Sequence, residues 1–164
     1  MSWTLWRHHT YTHRYKPFYS MKTTSLYPVL VIENDEYVTD VMRRTAEGSF
    51  PEAVLQFVVD DQAAQRSLLS TNPPMPKLII HGTYLEQLLT ESDTNHWLRE
   101  HPVAIIIAQL VLSRLDWPTS AGITLTLGTP TYCPKPELIV EWACFWAQLR
   151  RCWSQQAATS RLYH

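Results

Sequence analysis

Residues 29–44 read VLVIENDEYVTDVMRR, and the fold turns on how this stretch divides. Residues 29–32 are apolar, mostly β-branched and uncharged, which suits a strand covered on both faces. An acidic loop, ENDEY, follows, and from Tyr37 the spacing becomes helical over 37–47. A strand that feeds a helix through a short polar loop is the opening of a β-α-β unit.

Outward from this unit the alternation repeats. Short apolar runs at 54–59, 78–80, 103–107 and 131–133 supply four more strand candidates. Helical patterns occur at 61–70, at 84–98 with a break near 92–95, and at 137–153. In the last of these Leu138, Trp142, Phe145, Leu149 and Trp153 form one apolar stripe, and Pro136 suits a first helical turn. Residues 113–128 contain Pro118, two glycines and several threonines, so no regular fourth helix is expected there. The pattern predicts an α/β protein: a flavodoxin-like, doubly wound sheet of five parallel strands in the order 2-1-3-4-5, with an irregular fourth-helix region. In such sheets ligands bind beyond the C-terminal ends of the strands. That rule selects Glu33, Asn34, Asp60, Gly82, Ala108 and Lys135.

Composition sets the outer limits. The chain has 164 residues, enough for one domain with its own core. Hydrophobic residues make up 45% and charged residues 18%, a globular balance. Fourteen basic and 15 acidic residues give a net charge of -1, which offers no general attraction to nucleic acid or to an acidic membrane. No apolar run reaches the roughly 18 residues of a membrane span. Cys133, Cys144 and Cys152 form no CxxC pair, and with no secretory h-region at the N-terminus a reducing cytoplasm is the simpler reading. Residues 1–25 read as an N-terminal tail, basic and aromatic, or as the product of an upstream start codon with Met21 as the true start. A His8, His9 and His13 metal site there lacks supporting spacing. Residues 26–153 form the expected domain, and 154–164 a C-terminal tail.

The segments resemble, in order, those of a response-regulator receiver (CheY-like) domain. VLVIENDEYVTDVMRR is similar to the family's first strand, acidic loop and first helix. PKLIIHG at 76–82 resembles the strand leading to the phosphorylated aspartate, HPVAIIIAQ at 101–109 the fourth strand, and GTPTYCPKP at 128–136 the run into the Lys-Pro pair. The aromatic terminal helix is most similar to that of small stand-alone cyanobacterial regulators that accompany phytochrome-type kinases.

The resemblance implies a phosphorylation site whose members can be checked one by one. The acidic pair that would hold Mg²⁺ falls on Glu33 and Asn34, one carboxylate having become an amide, with Asp35 expected in the helix. The nucleophile falls on Gly82, which has no side chain to attack phosphorus. The sensing hydroxyl falls on Ile107, or on Ala108 one residue later, and neither carries one. Lys135 remains, solvated or paired with Glu33. These positions describe a degenerate pseudo-receiver that is not an enzyme and needs no cofactor or metal. It would act by protein contact in two-component signalling, with a sensor histidine kinase or phytochrome-type kinase as partner and as a homodimer. Trp142, Phe145, Trp146 and Trp153 supply more aromatic surface than one helix face buries, and are the candidate interface, with filling of a loosened core as the alternative. Two other readings remain open: phosphoryl transfer to His81, and a flavodoxin-like site for a small anionic ligand where Gly82 leaves space.

Overall fold

The computed structural model describes residues 25–72, 74–82, 99–113 and 123–160. The expected helix at 84–98, most of the N-terminal tail and much of the irregular region lie outside them. Five strands form one parallel sheet: β1 (Tyr27–Ile32), β2 (Ala53–Val58), β3 (Leu78–His81), β4 (Ala108–Ser113) and β5 (Pro130–Pro134), in the order β2-β1-β3-β4-β5. Every neighbouring pair is parallel. This is the flavodoxin-like order that the sequence predicts.

Alternation along the central strands divides the interior into two layers. Val29, Val31, Leu78, Ile80, Ala108, Leu110 and Leu112 face one side, where they meet helices α1 (Glu36–Ser49) and α3 (Ile139–Ser160). Leu30, Ile32 and Ile79 face the other, with Ala64 and Leu68 of α2 (Asp61–Leu69) and with Ala104 and Ile107. A parallel sheet covered twice needs apolar residues at successive positions, which is why β1 and β3 read as unbroken apolar runs.

Caps set where the helices begin. Asp35 lies just outside α1, and its carboxylate accepts hydrogen bonds from the Tyr37 and Val38 amides. Asp60, a strand-end candidate in the sequence, caps α2 in the same way through the Ala63 amide. For α3 the Glu141 carboxylate reaches back to the amides of Glu137 and Leu138, and those bonds hold its carboxyl below the usual range.

Two boundaries depart from the sequence reading. Residues 103–107, expected as the fourth strand, fall instead in and just after a short 3-10 helix, Pro102–Ile106, and β4 begins only at Ala108. The stretch from Val103 to Leu112, apolar except for Gln109, is longer than one strand, and its pairing with β3 decides which half is used: Leu78 lies against Ala108 and His81 against Val111. Helix α3 also continues past Trp153 to Ser160, so residues 154–160 are helix and not tail. In the irregular region, residues 126–129 make two isolated bridges around Gly128, whose φ of 70° is one that glycine adopts without strain.

Candidate site at the strand C-terminal ends

Glu33 and Gly82 each stand one residue past a strand end, and both extend the ladder: the Glu33 amide donates to the Val58 carbonyl and the Gly82 amide to the Ile32 carbonyl. Lys135 does the same beyond β5, its amide donating to the Ser113 carbonyl at 2.7 Å. The parallel register thus gathers Glu33, Gly82, Ser113 and Lys135, from sequence positions far apart, at one end of the sheet.

The Lys135 ammonium donates to the Glu33 carboxylate Oε2 at 2.8 Å and to the Gly82 carbonyl at 3.0 Å. The pair is largely withdrawn from solvent, with side-chain exposures of 12% for Lys135 and 1% for Glu33. The other carboxylate oxygen of Glu33 accepts from the Asn34 and Asp35 amides, both at 3.1 Å. A carboxylate with this many donors is held in a fixed, inward orientation.

Gly82 is what makes room for it. A Cβ on Gly82 would lie 2.5 Å from Glu33 Oε2 and 3.1 Å from the Ile32 carbonyl oxygen. The volume that a side chain at the end of β3 would take is filled by the Glu33 carboxylate.

The receiver resemblance implies a divalent cation at this place, and the donor set does not fit one. Mg²⁺ requires several hard oxygens at about 2.0–2.1 Å in octahedral array. Here Oε2 of Glu33 and the Gly82 carbonyl are already bridged by an ammonium, Asp35 Oδ1 is committed to the α1 cap, and Asn34 is an exposed amide. Among the described residues no group of three or more His, Cys, Asp and Glu side chains is placed to hold a metal ion.

The sensing position requires a correction. Ile107 precedes β4, at the N-terminal end of the sheet, where it is buried against the α2 layer, and Ala108 is the first residue of the strand. The residue at the C-terminal end of β4 is Ser113, which is buried and does carry a hydroxyl. The expected strand at 103–107 ends before this residue, whereas β4 runs from Ala108 to Ser113. The signal that finds it is the polar residue closing the apolar run QLVLS.

His81, the last residue of β3, is fully buried and faces the α2 layer, opposite to Ile80. Gln109 on β4 donates its amide to the carbonyls of Ala104 (3.1 Å) and Ile107 (3.4 Å), which turns its oxygen toward His81 Nε2 at 2.8 Å. The bond to this oxygen places an imidazole proton on Nε2. Burial pushes its pKa down from 6.5 to about 4, against the Gln109 bond, with His101 adding to the depression.

The aromatic candidates divide. Trp142, Phe145 and Trp146 are buried, Phe145 lying edge-to-face with each tryptophan, in the layer between α1 and the sheet, so they are core and not interface. Trp153 is partly buried against Tyr27 and Phe50, with ring centroids 5.5 Å apart in each case. The exposed large apolar side chains here are Ile139 and Val140 at the start of α3 and Leu138 just before it, so Leu138 leaves the predicted stripe. A groove of about 840 Å³ lies at the opposite, N-terminal end of the strands, lined in part by Tyr27, Met75, Ile106, Leu127 and Gln155.

Compared with solved structures, the chain is similar to a response regulator, RPA3017, whose crystal structure is described as acting in red light signaling of R. palustris. The two are 18% identical over 76% of this chain and 91% of that one, with a TM-score of 0.53. At that identity the likeness shows the fold, which is the CheY-like α/β sheet. No family model matches the chain, and no curated protein does.

Proposed function

We propose that the chain is a pseudo-receiver: a receiver-fold signalling module that works through protein contact and does not accept a phosphoryl group. The observation that carries this reading is the closed ion pair of Glu33 and Lys135 over Gly82. The position that would attack phosphorus has no side chain, and its space is taken by a carboxylate. The two polar groups that the strand ends retain, the Lys135 ammonium and the Ser113 hydroxyl, have no acyl phosphate to sense. On this reading the protein has no catalytic activity of its own, and its resting arrangement at the strand ends is its only one.

The solved regulator of red-light signalling supports partners of the two-component type, a sensor histidine kinase or phytochrome-type kinase, and assembly as a homodimer in the cytoplasm belongs to the same proposal. Transfer to His81 is disfavoured by its burial and by the commitment of Nε2 to Gln109.

Incubation with acetyl phosphate and Mg²⁺, followed by intact-mass measurement, tests the reading. The expected result is an unchanged mass. Gain of one phosphoryl group overturns it, and peptide mapping of the modified residue would then separate His81 from an acid.

A further inference from the structure

We infer that the ammonium of Lys135 is the resident cation of this site, a tethered charge that stands where the fold would otherwise hold a divalent metal. The inference shares with the proposed function the choice of this sheet end as the site, but rests on its own geometry. Two oxygens that would be natural metal ligands, Oε2 of Glu33 and the backbone carbonyl of Gly82, converge on one point, and Lys135 Nζ occupies it at 2.8 and 3.0 Å.

The arrangement is self-consistent in charge. A carboxylate at 1% exposure needs a counter-charge, because an unpaired buried ion is strongly unfavourable. Lys135 supplies it, is fixed in place by its own amide bond to Ser113 and by Pro136 next in the chain, and cannot diffuse away. An ammonium forms its bonds at hydrogen-bond distance and asks for no octahedral shell, whereas Mg²⁺ on Glu33 Oε2 and the Gly82 carbonyl would complete its shell with waters, for which the lysine leaves no room. Cation and metal exclude each other. The wild-type site is therefore indifferent to divalent ions, and removal of the lysine charge creates a site that is not.

The test compares wild type, Lys135→Met and the double variant E33Q/K135M in thermal melts, with MgCl₂ against KCl of equal ionic strength. Wild type is expected to melt at the same temperature in both salts. K135M leaves Glu33 buried without its partner and is expected to melt on the order of 10 °C lower. About 10 mM Mg²⁺ is expected to restore roughly 5 °C of that loss. The double variant, with no carboxylate left to neutralise, is expected to show no Mg²⁺ response. A Mg²⁺-dependent rise in the wild type, or a folded K135M that ignores Mg²⁺, overturns the inference.

Should K135M fail to fold, Mn²⁺ titration of the wild type by NMR decides. Unbroadened amides at Asn34, Asp35 and Gly82 support the tethered cation, and selective broadening there overturns it. The outcomes separate from those of the proposed function. A wild type that binds Mg²⁺ yet gains no phosphoryl group sinks the cation assignment and leaves the contact module standing, whereas a phosphoryl gain without Mg²⁺ binding does the reverse.

Discussion

At the scale of single residues, the site is governed by volume before charge. Gly82 has no unusual φ, so its glycine is required by space alone: the nearest atom to a Cβ there is Glu33 Oε2, at 2.5 Å. Gly82→Ala must displace that oxygen and loosen its bond to Lys135, and is expected to cost about 1–3 kcal/mol in denaturant unfolding. The cost should shrink in a Glu33→Ala background, a double-mutant cycle that isolates the contact. An equal penalty in both backgrounds would place the clash on the Ile32 carbonyl. The residue scale also shows what the sequence could and could not disclose. The places of Gly82 and Lys135 at the strand ends were legible, because both sit next to short, well-bounded strands. That of Ser113 was not, because the stretch 103–112 offers two equally good strands and only pairing with β3 chooses between them. Asp35, expected in the helix, is its cap for a related reason: an aspartate three residues past a strand end can ligate a metal or cap a helix, and the backbone decides.

At the scale of elements, α3 shows how a correct period can still give a wrong assignment of faces. The stripe through Trp142, Phe145 and Leu149 is real and buried, but Trp146 is buried with it, which makes the apolar face broad. A helix that packs against both α1 and the sheet buries two adjacent faces, so surplus aromatic area went into the core. Trp146→Ala is therefore expected to destabilise the fold by about 3–5 kcal/mol, as a buried large-to-small change. Substituting the exposed Ile139 or Val140 by Ser is expected to leave stability nearly unchanged. If Trp146 were an interface residue, its loss would instead weaken self-association at unchanged monomer stability, which sedimentation alongside denaturant melts distinguishes. Strand order needed no such correction, since the flavodoxin-like order followed from the number and spacing of the alternations.

At the scale of the whole molecule, the sheet carries two polar pairs of different character, an ion pair and a neutral one. Glu33 and Lys135 are charged and mutually neutralised, whereas His81 and Gln109, in the α2 layer, form a neutral pair. His81 is held neutral by burial, with its pKa lowered from 6.5 to about 4. A group whose folded pKa is depressed stabilises the fold fully above its unfolded pKa. As pH falls below about 6.5 the unfolded chain takes up a proton that the folded chain refuses, so stability declines until the folded pKa near 4 is reached. The slope approaches about 1.4 kcal/mol per pH unit, and the full loss is on the order of 3 kcal/mol. Urea unfolding at pH 7 and at pH 4.5 measures it, and His81→Asn, which cannot ionise, removes this histidine from the comparison while the others remain. The wild type should lose more stability than the variant across that interval. Equal losses would mean that His81 is protonated in the folded state too, its imidazole reaching water, and the α2 layer would then be open to solvent at the end of β3.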